Sequence, residues 1–342
     1  MSVALRLSRA QRQRGRHSRR GQRGVALIVA ILLVALGTII AATVAYENAM
    51  AARRSTGTFA FDQSIMIAEG AEALAAFGIR QFYQANPQTI YIGQGWDKPV
   101  GPMEVVPGVM LEASLEDMQG RFNINNLVQQ DGTPDLVNVA AFTKLLEMVG
   151  LETKWAPLLV DWIDADINPL PTGGAEDSVY MGQTPPYRTA NRYVTSTTEL
   201  LALPGFGRER YLALAPYIAA LPWGTQINLC TAKDKVLDAF LPAGQTEFSA
   251  TAGQLDKNRV AATTSGCFPT LANFQAALGT PKPTGAPQTN AGAQTQKFGQ
   301  KSQYFRLTSF ITIGSTEFNL YSLMYRDGTG VVRPIQRSFT PD

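Results

Sequence analysis

Residues 25–45 form an apolar run without a single charge, and the hydrophobic pattern continues past it. A run of about 20 apolar residues is long enough to cross a bilayer as a helix. Small and apolar residues then recur at helical spacing to about Tyr83. This stripe comprises Ala68, Ala71, Ala75 and Ile79. The pattern therefore predicts a membrane-spanning helix that continues as an amphipathic helix.

The period of the pattern changes after this helix. Residues 110–115 alternate with period two, which predicts a strand. "QTIYIG", which follows the long helix at residues 88–93, is taken with them as the early strand pair. From Leu127 to about Leu278 the chain reads as short helices separated by proline and glycine. A polar low-complexity segment then predicts a loop, and the last forty or so residues read as three consecutive strands.

These elements predict an α+β fold, in which the long helix packs on an antiparallel sheet and a large α-helical domain is inserted between strands. We expect the helix and first strands in residues 46–126, the inserted domain in 127–279, the loop in 280–301 and the C-terminal strands in 302–342. The alternative of two sequential domains would leave a three-stranded sheet without its helix.

The net charge of +3 comes from one tail of the chain. Residues 1–24 contain eight of the 30 basic residues and no acid, so the remainder carries 22 basic against 27 acidic residues. A basic balance confined to a tail is no sign of nucleic-acid binding by the folded part. The single histidine, His17, lies in the same tail. A chain that begins after Gly24 would have no histidine-based triad and no histidine-ligated zinc.

The two cysteines, Cys230 and Cys267, are far apart in the sequence. A zinc site needs about four nitrogen or sulfur ligands at short spacing, which this chain does not supply. In an oxidising compartment the two would favour a disulfide, while two unrelated buried thiols stay open as the alternative.

Carboxylates are concentrated between residues 161 and 177, where five occur within seventeen residues. They are Asp161, Asp164, Asp166, Glu176 and Asp177. Such a group repels itself unless it is neutralised, and the nearby Arg188 and Arg192 are too few. Calcium takes six to eight oxygen ligands from irregular loops and fits this surplus. A solvated acidic loop and a carboxylate pair for hydrolysis are the alternatives.

A second motif is "LLALPGFGRERYLALAPYIAAL" followed by "INLCTA". It reads as a helix-hairpin-helix unit, whose backbone amides can hold a phosphate. Only Arg208 and Arg210 could meet a nucleic-acid backbone, which is too small a basic surface. We therefore favour a hairpin with a structural role.

The junction of "RRGQRG" with the apolar run resembles the leader of type IV prepilins and type II secretion pseudopilins. The resemblance implies peptidase cleavage after Gly24, which makes Val25 the first mature residue. Most such proteins carry glutamate at mature position five, where this chain has Val29. An uncleaved signal anchor is the plainer alternative. Arginines before the helix favour a cytoplasmic N-terminus, with the remainder outside.

Further motifs resemble one family, the minor pseudopilin K proteins of type II secretion. They are "LEDMQGRFNINNL", "LVDWIDAD", "GAEDSVY", "PPYRTANRYVTSTTELLALPG" and "INLCTA". The resemblance implies a pilin-like α+β core and a place at the tip of a periplasmic pseudopilus, where the protein would start filament assembly. It implies no enzymatic activity and a single-pass location in the bacterial inner membrane, with the folded part in the periplasm.

The resemblance also implies calcium in the inserted domain. Its ligands would be Asp164, Asp166, Glu176, Asp177 and Asn191, with Asp161 and the hydroxyls of Thr195, Ser196 and Thr197 as further candidates. It implies a Cys230–Cys267 disulfide and an assembly role for Val29.

The implied partners are minor pseudopilins I, J and H, the major pseudopilin and the prepilin peptidase. The outer-membrane secretin or exported cargo would be a further contact, and nucleic acid would not be a partner. The alternative function is a minor pilin of an adhesion or DNA-uptake pilus.

Overall fold

The computed structural model describes residues 22–242, 247–251, 253, 255, 267 and 297–340. The long helix α1 runs from Gln22 to Ala85, two residues beyond the predicted end. From Gly24 onward it is long and apolar enough to cross a membrane, by length and composition. The chain divides into two compact units, Met1–Asp62 and Gln63–Asp342, and α1 contributes to both.

The second unit contains nine strands among the described residues. They are β1 (Val100–Val106), β2 (Val109–Asp117), β3 (Phe122–Asn123), β4 (Ile218–Ala219), β5 (Ile227–Asn228), β6 (Phe298–Gly299), β7 (Tyr304–Ile313), β8 (Thr316–Arg326) and β9 (Val332–Ser338). Five of them form an antiparallel sheet in the order β1-β2-β7-β8-β9. Because β2 pairs with β7 along its whole length, the sheet joins strands that lie nearly two hundred residues apart.

The C-terminal part of α1 packs on this sheet. Ala68, Ala71 and Ile79 of the predicted small-residue stripe are buried against Leu111, Phe305, Ile311 and Met324 of the strands. Small side chains on one helix face allow a close approach to the sheet, which explains why the stripe is rich in alanine.

The described residues between β2 and β7 form the inserted domain. The α-helices among these described residues are α2 (Leu136–Met148), α3 (Trp155–Ile163), α4 (Asp177–Tyr180), α5 (Gly207–Leu214) and α6 (Asp234–Asp238). They share a core separate from that of the sheet, centred on the buried side chains Phe122, Phe142, Leu145, Leu159 and Phe206. The predicted fold class, α+β with a helical insertion between strands, is confirmed.

Two local predictions differ from the structure. "QTIYIG" is irregular rather than extended, and the strand before β2 is β1, whose Gly101 and Pro102 obscure the alternation. "STTELLALPG" contains a 3₁₀ helix, Thr197–Ala202, rather than an α-helix. Most of the predicted 280–301 loop lies outside the described residues, although β6 within it pairs in parallel with β5.

A buried aspartate ties the insertion to the sheet. Asp117, at the end of β2, accepts hydrogen bonds from Ser302 Oγ at 2.5 Å, Thr231 Oγ1 at 2.5 Å and Asn228 Nδ2 at 3.0 Å. Burial raises the pKa of Asp117, although these donors oppose the shift. The Cys230–Cys267 disulfide lies beside this junction, with a Cα–Cα distance of 4.5 Å.

Candidate metal centre

The acidic segment begins where α3 ends. The apolar face of α3 is buried through Ala156, Leu159, Val160 and Ile163, which fixes the direction in which the following residues leave the helix. The backbone amide of Asp164 still donates to the carbonyl of Val160 at 2.9 Å, but Asp164 itself is extended. Pro169 and Pro171 prevent the helix from continuing.

Asp161 folds the next loop back onto the helix. Its fully buried carboxylate accepts hydrogen bonds from the amide of Leu170 at 3.0 Å and 3.3 Å. A Cβ atom on Gly174 would lie 1.9 Å from Oδ2 of Asp161, so only glycine fits there. Asp161, a further ligand candidate from the sequence, therefore has a structural task in shaping the loop.

This loop brings three of the predicted ligands together. Asp164, Asp166 and Glu176 each offer one carboxylate oxygen, and these oxygens all lie within 4.8 Å of one another. Asp164 and Glu176 are both buried, at 4% exposure, whereas Asp166 is exposed. The three side chains come from the end of α3 and the residue before α4, twelve positions apart at their extremes.

Several oxygens at this place are buried and lack a donor. They are Oδ1 of Asp164, Oε1 of Glu176 and Oδ1 of Asn191. Nδ2 of Asn191 donates to the carbonyl of Asp166 at 2.9 Å, so the amide oxygen is the atom left over. Leaving one buried acceptor unsatisfied costs about 1–3 kcal/mol, which a cation bound to all three would recover.

Asn191 reaches the cluster through an unusual backbone conformation. Its φ angle is 46°, in the left-handed region that asparagine tolerates better than most residues. Its backbone amide donates to the carbonyl of Trp162 at 3.1 Å, which ties this later segment to the end of α3. The sequence pattern alone gave no reason to expect a left-handed residue at position 191.

Burial and mutual repulsion disfavour the charged form of the carboxylates in this cluster. Burial, followed by the charges of Asp166, Asp161 and Glu176, raises the pKa of Asp164 to about 7. Burial also raises the pKa of Glu176 and brings that of Asp161 to about 6. An all-oxygen set with a formal charge of −3 on Asp164, Asp166 and Glu176 suits a hard divalent cation, and calcium above the others.

Asp177 and the predicted hydroxyls have other partners. Oδ1 of Asp177 accepts from the amide of Thr189 at 3.0 Å, and its other oxygen lies 3.8 Å from Arg188. Thr189, which the sequence did not single out, also donates to Oε2 of Glu176 at 3.0 Å and so orients that carboxylate. A lone threonine thirteen residues after Glu176 carries no recognisable signal in the sequence.

The hydroxyls of residues 195–197 stabilise the start of a 3₁₀ helix. Thr195 Oγ1 donates to Glu199 at 3.0 Å, and Ser196 caps the helix in a reciprocal arrangement with Glu199. Thr197 Oγ1 lies 3.0 Å from the hydroxyl of Tyr211. These contacts explain the hydroxyl-rich sequence without a metal.

The "LPGFG" hairpin packs into the core of the inserted domain. Phe206 is fully buried, and Gly205 and Gly207 take positive φ angles of 78° and 73° around it. Arg210 donates to the carbonyls of Gly205 at 3.1 Å and Phe206 at 3.0 Å. Because Arg210 closes the turn, the hairpin has the structural role that the sequence favoured.

Residues 120–223 match the family model described as type II secretion system (T2SS), protein K. Type II secretion system protein K of Pseudomonas aeruginosa is 31% identical, over 93% of this chain and 93% of its own length. The chain belongs to the type II secretion system protein K family. The Pectobacterium carotovorum and Klebsiella pneumoniae members are 30% and 31% identical, over 93% and 91% of this chain. The predicted family is confirmed.

A solved structure agrees on the fold. It is a chain of the GspK-GspI-GspJ complex from the type 2 secretion system of enterotoxigenic Escherichia coli, with a TM-score of 0.70. The match covers 84% of this chain and 100% of that chain at 23% identity, which supports the protein K fold. Proteins of the protein K family are components of the type II secretion system. This chain therefore has a minor pseudopilin role in type II secretion.

Proposed function

We propose that this chain is the minor pseudopilin at the tip of the type II secretion pseudopilus, where it starts filament assembly without catalysing a reaction. The observation that carries the proposal is the inserted domain. It is inserted in the chain between β2 and β7, which are neighbours in the sheet, and it has its own core, beyond what a pilin-like helix and sheet require. A subunit with this added bulk is suited to the end of a stack of pilin-like subunits, where no further subunit has to pass.

Val29 supports the same position. A carboxylate in an apolar segment is costly in lipid unless it is paired, and in pilin-like filaments the partner is a neighbouring subunit's N-terminal amine. Val29 lies in the apolar part of α1 and offers no such group. A tip subunit loses little by this, since nothing above it requires pairing. We propose that cleavage after Gly24 makes Val25 the mature N-terminus.

The loop after α3 is proposed to hold calcium. Asp164, Asp166, Glu176 and Asn191 would be its side-chain ligands, because their oxygens include the unpaired buried ones. The ion would supply charge neutralisation and would tie the loop after α3 to the segment around Asn191. The ligand set thereby fixes one face of the inserted domain. Asp177 and Asp161 would hold the loop around the ligands, because their carboxylates accept hydrogen bonds from backbone amides.

The proposed partners are minor pseudopilins I and J, in line with the complex formed by the structural neighbour. Minor pseudopilin H, the major pseudopilin and the prepilin peptidase would follow from the same role, and the secretin or cargo would meet the tip. The arginine-rich tail would stay on the cytoplasmic side of the inner membrane and the folded unit would lie in the periplasm.

Two measurements on membrane-extracted protein test this proposal. From cells with an active prepilin peptidase, intact mass should show loss of residues 1–24, and affinity-tagged protein should bring down I and J. A Val29→Glu variant tests the proposed tip position without altering the folded unit. It should still be processed by the peptidase but should assemble fewer filaments. Retention of the leader together with failure to capture I and J would contradict the proposal.

A further inference from the structure

Three basic side chains lie around Tyr83 without a carboxylate partner. Arg326 and Arg80 line a cavity of about 340 Å³ with Tyr83, Gln84 and Thr329. Arg326 and Lys301 line a second cavity of about 370 Å³, which Tyr83 also lines. No aspartate or glutamate lines either cavity in the described residues. The two cavities share Arg326 and Tyr83.

Tyr83 and Arg326 form a rigid centre. The guanidinium carbon of Arg326 lies 3.5 Å from the centroid of the Tyr83 ring. The tyrosine is fixed in turn, because its hydroxyl donates to the carbonyl of Ser302 and accepts from the amide of Ser302 at 3.0 Å. Burial raises the pKa of Tyr83 to about 12, so the ring stays neutral beneath the cation. An arginine held against an aromatic ring loses less entropy when it binds an oxyanion.

The neighbouring acid is committed elsewhere. Asp327 follows Arg326 directly, but its Oδ1 accepts hydrogen bonds from Thr329 N at 2.9 Å, Thr329 Oγ1 at 2.6 Å and Val331 N at 3.0 Å. These bonds form the turn between β8 and β9. Arg326 is half-buried, and a partly desolvated charge without a counterion is costly.

Several basic side chains of the same unit are paired with a carboxylate. Arg337 contacts Glu72 at 2.7 Å, Arg306 contacts Glu116 at 2.6 Å and Lys297 contacts Asp135 at 2.5 Å. Within the part of the chain that the structure describes, no ion pair is formed by Arg80, Lys301 or Arg326. Arg326 differs from the exposed basic residues in that its Nε atom is buried and has no hydrogen-bond partner among the described residues.

We propose that the two cavities bind an acidic segment of a partner protein, with one carboxylate on Arg326 and a second on Arg80 or Lys301. Arginine prefers the two oxygens of a carboxylate, which its planar fork can bind together. A single small anion would neutralise one cavity only. Arg80 lines one cavity, Lys301 lines the other and Arg326 lines both, which instead fits carboxylates spaced along one peptide. The site lies away from the acidic metal cluster and does not depend on it.

The test uses the full-length chain in detergent with calcium present. The probe is a fluorescein-labelled, N-acetylated tetraglutamate peptide, and the tetraglutamine peptide is its control. Anisotropy should report binding of tetraglutamate only. Arg326→Gln should weaken it about tenfold, which corresponds to about 1.4 kcal/mol, and Arg80→Gln and Lys301→Gln should each weaken it about threefold. Arg208→Gln, at an exposed and unpaired arginine of α5, should leave it unchanged.

A second readout locates the peptide. Carbodiimide activation of the peptide should form an amide with the Lys301 amine, identified by mass spectrometry after digestion, and Arg326→Gln should suppress it. This readout separates the site from the arginines of residues 1–24, which no variant alters. If Arg326→Gln fails to fold, the exposed Arg80 and Lys301 variants decide the matter.

Three results would overturn the proposal. One is equal affinity in all variants, and another is a crosslink that persists without Arg326. The third is complete displacement of the peptide by an equal concentration of acetate or inorganic phosphate, which would indicate a site for single small anions.

Discussion

Removal of calcium should lower the free energy of unfolding of the chain, because the carboxylates of the cluster repel one another and three of its buried oxygens lack a donor. Two unit charges 4.8 Å apart, the limiting separation in the cluster, repel by about 3.5 kcal/mol at an effective dielectric constant of about 20. The three unpaired buried oxygens add about 1–3 kcal/mol each. A cation therefore relieves several kcal/mol. Calcium at about 100 times its dissociation constant stabilises a protein by about 2.7 kcal/mol.

The assay is thermal unfolding of the full-length chain in detergent, with 1 mM calcium and with excess chelator. For a folded unit of this size, 2.7 kcal/mol corresponds to a shift of about 5–10 °C. Glu176→Gln should reduce the shift to about 2 °C or less. Without calcium it should unfold at a higher temperature than the wild type, because one repelling charge is gone.

The control is Glu209→Gln, which removes an exposed carboxylate from α5 and should keep the full calcium shift. Equal unfolding temperatures with calcium and with chelator would refute the reasoning. A calcium shift that survives unchanged in Glu176→Gln would assign the ion to a different place.

The remaining predictions concern the links that hold the folded unit together. Replacement of Cys230 and Cys267 by serine should cost about 4 kcal/mol in urea unfolding, since the bridge spans 37 positions, and an unchanged midpoint would contradict this. Asp117→Ala should cost about 2–3 kcal/mol and Thr231→Val about 1 kcal/mol, because only the first removes the acceptor shared by three side chains. Arg337→Gln leaves Glu72 buried without its cation and should cost about 1–3 kcal/mol, but nearly nothing in a Glu72→Gln background, as a double-mutant cycle in urea would show.

Periodic patterns predicted the elements whose stability comes from one buried face. The alanine stripe of α1, the alternation of β2 and the C-terminal strands all follow from a face that must be covered. β1 was misplaced, because it is an edge strand with glycine and proline and exposes most of its side chains. An edge strand has one neighbour and little burial, so its pattern is weak.

The carboxylate cluster after α3 shows the limit of sequence reasoning at a site. The density of acids between residues 161 and 177 was enough to predict a cation, but the roles within it depend on the fold. Asp161 and Asp177 look equivalent to Asp164 in the sequence, yet their oxygens accept backbone amides. Thr189 orients Glu176 from a distant loop, which only tertiary structure reveals.

The central claim, a position at the tip of the filament, is tested most directly by imaging. Cells that overproduce the major pseudopilin to give long filaments would carry this chain with a C-terminal epitope, and gold-labelled antibody would be scored on each filament by electron microscopy. A subunit at the tip should give label at one end of each filament and none along its length. Label spaced regularly along the filament would contradict it.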